Sequence, residues 1–162
     1  VRDFIADLPA LEAGAVNPDD PLHRSSALSQ INLQRIRASV PGGTWHDWPE
    51  ELRCACHKKD SGTTYASVYG RRTWEQIGPT ITTQFYNYGT GRFGHPQQDR
   101  ALSLREGAIL QTFPRDYDFV DPERGFVMRD ISRHIGNAVP VRLGQVIGLS
   151  IIGHLQEHNI EI

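Results

Sequence analysis

The chain has 162 residues, with 17 basic and 19 acidic side chains and a hydrophobic content of 38%. These values indicate a globular chain of about one domain and exclude disordered, collagen-like and coiled-coil classes. No apolar run approaches the ~20 residues that cross a bilayer, and two cysteines cannot form a disulfide framework, so we expect a cytoplasmic protein without a membrane partner. The chain begins at Val1 rather than Met, which suggests a piece of a longer protein.

The net charge of −2 hides an uneven distribution of charge along the chain. Residues 1–52 carry 4 basic and 8 acidic side chains, residues 53–105 carry 8 and 3, and residues 106–162 carry 5 and 8. A basic middle segment is typical of a local polyanion site, although a solvated surface gives the same pattern.

The first 50 residues predict a loop-rich segment, because proline and glycine punctuate them repeatedly. Between these breaks, residues 28–38 predict a short helix with Ser29 or Asn32 as its N-cap. Trp45 and Trp48 are expected in a small core rather than on a stacking platform.

Residues 61–93 predict strands and turns. The runs TTYASVY at 63–69 and TITTQFY at 80–86 are rich in β-forming residues, and glycine or proline separates them. The second run leads into a glycine-rich loop that carries aromatic residues and an arginine. From these residues alone, an ordinary β-hairpin with polar tips explains the pattern as well as a ligand-binding loop does.

Two helices are predicted in the last third of the chain. Ser103 and Glu106 form a capping box for the first, which Pro114 stops. The second should begin near Pro140. It is apolar around much of its circumference, so it needs burial on more than one side, either by this chain or by another polypeptide.

Two short motifs are set aside. The sequence GTGRFG at residues 89–94 matches a dinucleotide fingerprint, but Pro96 follows where a helix should open, and no acidic residue stands on a second strand. Cys54, Cys56 and His57 offer zinc ligands, but no second ligand pair exists, so we expect no metal.

Three segments in order resemble the C-terminal third of bacterial DNA (cytosine-5) methyltransferases. They are SVYGRRTW at 67–74 with GPTIT at 78–82, then HP at 95–96 with RALSLREGAILQTFP at 100–114, and IGNAVP at 135–140. The second and third resemble the ninth and tenth motifs of that family. Residues 1–49 also resemble the approach to its target-recognition domain, so the similarity covers nearly the whole chain.

The family's reaction centre is missing from this sequence. Its nucleophile is a cysteine in a Pro-Cys motif, whereas Cys54 follows Arg53 and Cys56 follows Ala55. The Glu-Asn-Val segment and the glycine-bearing cofactor loop are missing too. The resemblance therefore implies the DNA-reading part of an enzyme that transfers a methyl group from S-adenosylmethionine to C5 of a flipped-out cytosine. We expect no catalytic residue in this chain and no activity from it alone.

The resemblance and the residue types together predict DNA contacts on two loops, residues 58–72 and 82–92. Gln and Asn pair with adenine, Arg with guanine, and hydroxyls with phosphate, and the Thr-Ile-Thr segment should lie near the backbone of the flipped cytosine. The predicted DNA-binding residues are Lys58, Lys59, Tyr69, Arg71, Arg72, Thr80, Thr82, Gln84, Tyr86, Asn87 and Arg92.

The resemblance also assigns Asn137, Ala138 and Val139 to the S-adenosylmethionine pocket. A plain turn at a helix start, with Asn137 as a cap and Gly136 relieving backbone strain, explains the same residues without a cofactor. The predicted structural residues are Ser103, Arg105, Glu106, Gly136 and Pro140, although Arg105 suits a phosphate contact as well as a salt bridge.

We therefore predict an α+β fragment: a β-rich recognition domain over residues 1–100, then, over residues 101–162, helices that complete an α/β methyltransferase domain. Its partners would be duplex DNA and the catalytic half of the same enzyme. The setting would be a bacterial restriction-modification system, in the cytoplasm with the nucleoid. Two alternatives stay open, a separate specificity subunit and a degenerate DNA-binding remnant.

Overall fold

The structure is a computed structural model that describes residues 1–59, 66–120 and 124–158. Five α-helices lie in these ranges: α1 Arg2–Ile5, α2 Gln30–Ala38, α3 Leu104–Leu110, α4 Met128–Asn137 and α5 Val141–Glu157. Loops and short 3-10 turns connect them, the turns at Trp45–Asp47, Glu50–Leu52, Ala55–Lys58 and Tyr88–Thr90.

The prediction of a β-rich recognition domain, and with it the α+β class, is wrong. Across the three described ranges the backbone forms no strand and no sheet. It forms isolated bridges there between Val16 and Arg24, between Arg71 and Gly94, and between Gly94 and Ala101. The described part of residues 1–100 consists of helices α1 and α2, short 3-10 turns and loops instead.

The run at residues 80–86 shows why the β prediction failed. Ile81 and Phe85 are both buried, four residues apart, where a half-buried strand would bury alternate residues. The Phe85 N–H donates to the Thr82 carbonyl at 3.3 Å and the Asn87 N–H to the Gln84 carbonyl at 2.9 Å, so the segment turns. β-propensity is weak evidence of this kind because packing overrides it.

The first β-forming run gives the same lesson where it is described. Residues 63–65 of the run lie outside the described residues, and residues 66–69 form a turn rather than a strand. Its last residue, Tyr69, has a φ of 56°, in the left-handed region that a strand does not use.

Three helices follow their predicted signals. The Ser29 hydroxyl accepts from the Asn32 N–H at the start of α2. At α3, the Ser103 hydroxyl accepts from the Glu106 N–H and the Glu106 carboxylate from the Ser103 N–H, so the capping box forms. The last helix begins directly after Pro140.

Helix α4 was not predicted. Its buried residues include Ile131 and Ile135, one helical turn apart, so an apolar stripe was present in the sequence. Arg129, Asp130 and Arg133 interrupt that stripe and obscured it.

The core has two parts. The larger packs α3 against α1 and α4 around Phe85, Leu102 and Leu104. A Cβ on Gly107 would lie 2.1 Å from the Phe85 ring, so only glycine allows this close approach. The smaller part, the aromatic cluster, contains Ile36, Trp45, Trp48, Tyr88 and Ala101. It confirms that both tryptophans belong to a core.

The stretch Met128–Glu157 is long and apolar enough to pass a length and composition test for a membrane span, with a mean hydropathy of 1.4. The stretch is two helices rather than one, because residues 138–140 interrupt it. The 17 residues of α5 extend only about 25 Å, against ~30 Å of bilayer hydrocarbon. A single such stretch is therefore weak evidence for a membrane.

Candidate nucleic-acid interface

The structure joins the two loops that were predicted to contact DNA. The Gly70 N–H donates to the Gly91 carbonyl at 3.1 Å, and the Gly94 N–H donates back to the Gly70 carbonyl at 3.0 Å. A Cβ on Gly70 would lie 2.7 Å from the Arg92 side chain, so glycine permits this contact. The ends of both loops therefore share one surface, which we call the paired-loop surface (residues 69–72 and 80–94).

Five of the predicted DNA-binding residues are exposed on the paired-loop surface: Thr80, Thr82, Gln84, Asn87 and Arg92. The Asn87 side-chain oxygen Oδ1 accepts from the Gly89 N–H at 3.1 Å and caps the turn Tyr88–Thr90. The two side-chain amide N–H groups of Asn87 donate to no residue in the described ranges. Hydroxyl, amide and guanidinium groups in one stretch suit phosphate and base edges.

Lys58 and Lys59 are also exposed, on the turn that precedes residues 60–65. Lys58 lies 3.5 Å from Glu50, in an ion pair whose two side chains are both solvent-accessible. Such a pair is weak, so an anionic ligand can compete for the lysine.

Arg72 and Arg92 bring two positive charges together. Burial lowers the pKa of Arg72, and the charge of Arg92 lowers it further. Arg72 donates to the Ile77 carbonyl, but its Nε has no hydrogen-bond partner in the described part of the chain. No carboxylate of the described residues forms an ion pair with either guanidinium, so the pair favours an anion such as a phosphate oxygen.

Three predicted DNA-binding residues have mainly interior contacts. The Arg71 guanidinium is buried and donates to the carbonyls of His95 and Ile36 at 3.1 and 3.0 Å. Tyr69 packs its ring edge-on in the aromatic cluster, and burial, then the adjacent Cys54, raises the pKa of Tyr69. Tyr86 is half-buried against the larger core. These residues lie beneath the paired-loop surface and support its backbone through interior contacts.

The predicted cofactor residues form an exposed loop between α4 and α5. Asn137 is the last residue of α4, and both Asn137 and Val139 are exposed, while Ala138 is half-buried. Asn137 is not the cap of α5, because Pro140 occupies that position. The cap interpretation of Asn137 is therefore wrong.

The end of α3 holds this cofactor loop in place. The Gln111 side-chain amide donates to the Ile135 and Ala138 carbonyls, both at 3.1 Å. The Thr112 hydroxyl accepts from the Arg142 N–H at 2.9 Å. Thr112 has a φ of 62°, which is costly for a β-branched residue, so its conformation is fixed by these neighbours.

Helix α4 lies directly on the Thr-Ile-Thr segment. A Cβ on Gly136 would lie 2.4 Å from the Thr82 carbonyl carbon, and the Ser132 hydroxyl donates to the Thr83 carbonyl at 2.9 Å. Gly136 therefore serves close approach of two backbones rather than relief of strain. It places the cofactor loop beside Thr82, which the sequence did not indicate.

A buried polar network supports the surface from below. Glu106 is fully buried and accepts from both terminal nitrogens of Arg100, at 2.8 and 2.7 Å. Burial alone would raise the pKa of Glu106, but the Arg100 hydrogen bonds and charge outweigh it and lower the pKa. Burial lowers the pKa of the adjacent His95 to about 4, despite the opposing charge of Glu106.

Arg105 forms a salt bridge rather than an open phosphate contact. Its guanidinium is bidentate to Asp20, at 2.7 and 3.0 Å, and also donates to the Tyr117 carbonyl. Burial would raise the pKa of Asp20, but the Arg105 hydrogen bonds lower it. This supports the structural interpretation of Arg105.

The turn Ala55–Lys58 and its N-cap residue Cys54 bring together three possible metal ligands. Donor atoms of Cys54, Cys56 and His57 all lie within 4.8 Å of one another. Burial, then the charge of Arg35, lowers the pKa of His57 and favours its neutral form. The sequence had argued against a metal here because it offers no second ligand pair, but it could not show this proximity.

Helix α5 leaves a large apolar surface open. In the described part of the chain none of its residues is buried. Its exposed apolar side chains are Val141, Leu143, Val146, Ile147, Leu149, Ile151 and Ile152. Contiguous apolar surface of this kind marks a contact with another polypeptide or domain.

Comparison with known proteins gives consistent matches. A family model described as C-5 cytosine-specific DNA methylase matches residues 6–153. The type II methylase M.HgiDII of Herpetosiphon aurantiacus is 59% identical over 93% of this chain and 42% of its own length. DNA (cytosine-5)-methyltransferase 3 of Arabidopsis thaliana is 31% identical over 99% of this chain and 13% of its length. The type II methyltransferase M1.BsuMI of Bacillus subtilis is 35% identical over 81% of this chain and 29% of its own length. The chain thus spans less than half the length of these relatives.

Proposed function

The chain belongs to the C-5 cytosine-specific DNA methylase family, and on that premise we propose that it is the DNA-reading part of a DNA (cytosine-5) methyltransferase. In this proposal it binds duplex DNA and presents one cytosine to a catalytic part that carries the Pro-Cys nucleophile. It corresponds to the C-terminal portion of such an enzyme, with the recognition role in residues 1–100 and the completing helices in residues 101–162.

One observation carries the proposal. The backbone of Thr82, on the paired-loop surface, lies against Gly136, next to the cofactor loop Asn137, Ala138 and Val139. A methyl group can pass only if donor and acceptor are held within contact distance, so a DNA-holding segment and a cofactor-holding loop must be neighbours. This chain makes them neighbours through a contact between two backbones.

The paired-loop surface then has a defined task. Extrusion of a base costs a few kcal/mol, so the protein must bind the displaced nucleotide's backbone and the strands around it. Thr80 and Thr82 offer hydroxyls to the phosphates beside the flipped cytosine. Gln84, Asn87 and Arg92 supply the donors and acceptors that read neighbouring base edges, and Lys58 and Lys59 add charge.

The residues present fit a cofactor loop. Asn137 and Val139 are exposed while the backbone around Ala138 is fixed by Gln111, so the loop has an open face on a rigid support. When bound, S-adenosylmethionine supplies an electrophilic methyl group. The chain's own contribution is to close one side of that site and to keep water from it.

The apolar face of α5 would pack on the catalytic part. The same face suits a covalently joined domain or a separate catalytic subunit, so both arrangements are compatible with it. Type II relatives suggest a bacterial restriction-modification system as the setting, with the protein in the cytoplasm on nucleoid DNA.

Transfer of labelled methyl groups from S-adenosylmethionine into mixed-sequence duplex DNA tests the proposal. We expect none with the 162-residue chain alone and transfer when the chain is joined to, or mixed with, the Pro-Cys-bearing polypeptide encoded at its locus. Transfer in the mixture identifies a separate subunit. Label with the chain alone would contradict the missing-nucleophile argument, and label in neither case would favour a DNA-binding remnant.

A second measurement tests the DNA surface itself. Arg92→Gln should weaken binding of duplex DNA, measured by fluorescence anisotropy. Because a phosphate contact is lost, the slope of the logarithm of the binding constant against the logarithm of the salt concentration should also become shallower by about one. Arg115→Gln removes the same charge from the exposed pair with Asp7 and serves as the control. Equal weakening by both variants would argue against a localised DNA surface.

A further inference from the structure

Cys54 and the turn Ala55–Lys58 that follows it carry a cluster of soft ligands that the proposed methyl transfer does not use. Cys54, Cys56 and His57 lie within four consecutive residues, and one donor atom from each lies within 4.8 Å of the others. A set of two thiolates and one imidazole binds zinc in preference to harder cations, which take oxygen ligands.

The separation of these atoms is close to what a metal ion requires. With zinc bonds of about 2.3 Å to sulfur and 2.0–2.1 Å to nitrogen, ligand atoms in a tetrahedron are about 3.3–3.8 Å apart. The distances between the three ligand atoms must therefore shorten by roughly an ångström when the metal binds. Cys56 is exposed, so its side chain can rotate inward without displacing a packed neighbour.

The other two ligands are already positioned by their surroundings. The His57 ring stacks on Trp45, with centroids 4.0 Å apart and an interplanar angle of 13°. The Cys54 sulfur accepts from the His57 backbone N–H, and the Cys54 thiol donates to the Tyr69 hydroxyl oxygen at 3.9 Å. These contacts hold the Cys54 side chain beside the His57 ring.

Two features limit the cost of binding a cation in this basic region. The Cys54 N–H donates to His57 Nδ1 at 3.3 Å, a long bond whose loss costs little if that nitrogen becomes a ligand. Two thiolates and one Zn²⁺ sum to zero, so the complex adds no net charge to this basic region.

We propose that Cys54, Cys56 and His57 bind one Zn²⁺ ion, with a solvent molecule as the fourth ligand. On binding, the two thiols release two protons to solvent and no electrons are transferred. The ion cross-links the turn Ala55–Lys58 and fixes Lys58 and Lys59 relative to the aromatic cluster. This proposal does not depend on the methyltransferase function.

Metal content of the untagged chain tests the site directly. After reduction and dialysis against a chelator, titration with Zn²⁺ should saturate at one ion per chain and protect both cysteines from alkylation. Since the chain has 2 cysteines, the alkylated product reports on these two ligands alone. Co²⁺ in place of Zn²⁺ should give a sulfur-to-metal charge-transfer band and the intense visible bands of tetrahedral cobalt.

Cys56→Ser is the sharpest variant, because the exposed Cys56 side chain supports no core packing. Loss of a mere outer-shell partner lowers metal affinity about 10–100-fold, so loss of this ligand should lower it at least about 100-fold and abolish half of the sulfur band. His46→Ala is the matched control, since His46 also stacks on Trp45 but is not one of the three donors. It should bind as the wild type does.

Two outcomes would overturn the proposal. One is metal uptake by the wild type that does not exceed uptake by the Cys54→Ser, Cys56→Ser double variant. The other is a cobalt spectrum without a sulfur band. Circular dichroism of each variant ensures that a loss of binding is not a loss of folding.

Discussion

Helices α3 and α5 are both recognisable from the sequence, yet the fold treats them in opposite ways. Every residue of α3 from Leu104 to Ile109 is buried, and its polar groups are paired within the chain. In α5 no residue is buried in the described part of the chain, although it is the more apolar of the two. Apolar composition therefore shows that a surface must be covered, but not which polypeptide covers it.

The comparison also separates two kinds of stability. The buried face of α3 is stabilised by contacts already made, including an ion pair that no solvent reaches. The exposed face of α5 can be stabilised only by a partner. Substitutions in α3 should thus lower the free energy of unfolding of the chain itself, whereas substitutions in α5 should change its association.

The largest effect is expected for Glu106→Ala. Removal of one partner leaves the Arg100 charge buried and unpaired, which costs about 3–5 kcal/mol. Urea unfolding of the chain should show this loss in the midpoint. Glu157→Ala, in the exposed helix, is the control and should change the free energy of unfolding by less than about 0.5 kcal/mol. Similar losses for both would remove the contrast between the two helices.

The next effect is a pH dependence caused by His95. Its pKa is lowered to about 4 in the folded chain from an ordinary value of 6.5, so the unfolded chain binds more protons between these values. The contribution of neutral His95 to the free energy of unfolding is fully present above pH 6.5 and is lost as the pH falls towards 4. The loss is about 2 kcal/mol between pH 7 and pH 5. Urea unfolding at both values measures it.

His95→Gln is the variant that isolates this contribution, because it cannot titrate. The free energy of unfolding of the wild type should fall relative to that of the variant as the pH falls from 7 to 5. Glu106, whose pKa is also lowered, adds a loss of the same sign below its ordinary range. An unchanged difference across this range would show that His95 is not held neutral by burial.

Gln111→Met should have a smaller effect, at the junction between the two helices. It removes the amide hydrogen bonds to Ile135 in α4 and to Ala138 in the cofactor loop, and leaves the Ala138 carbonyl without its donor, at a cost of about 1–2 kcal/mol. Hydrogen exchange at residues 138–142 should accelerate while exchange in α3 stays slow. Thr112→Ser keeps the hydroxyl and is the control, which should leave hydrogen exchange unchanged at residues 138–142 and in α3. Faster exchange throughout the chain of Gln111→Met would contradict a local role of Gln111.

The smallest effect on folding is expected in α5. Val146→Ser and Leu149→Ser should change the free energy of unfolding of the chain by less than about 0.5 kcal/mol. They should, however, weaken binding of the catalytic part, measured by sedimentation velocity of the mixture. A loss of more than about 1 kcal/mol in the chain alone would mean that α5 packs on its own chain after all.

Local signals carried most of what could be predicted. The capping box of Ser103 and Glu106, the cap at Ser29 and the start at Pro140 each depend on residues within four positions of one another. The β prediction at residues 80–86 failed because β-propensity depends on neighbours that the sequence does not specify. Helix α4 was missed because charged residues interrupt its apolar stripe.

The candidate site divides in the same way. Exposed polar residues such as Gln84 and Asn87 could be anticipated from residue type and motif order. The interior contacts of Arg71, the proximity of Cys54, Cys56 and His57, and the lack of a partner for Arg72 Nε among the described residues could not. Each depends on which segments the fold brings together.

By itself the sequence determined the family, the caps and the apolar helix that needs a partner, since motifs and capping residues act over a few positions. Only the tertiary structure decided that Thr82 lies against Gly136, more than fifty residues away, and that the Arg100–Glu106 ion pair is fully buried. Such contacts depend on how the whole chain fills space, because burial and close approach are properties of pairs of distant segments.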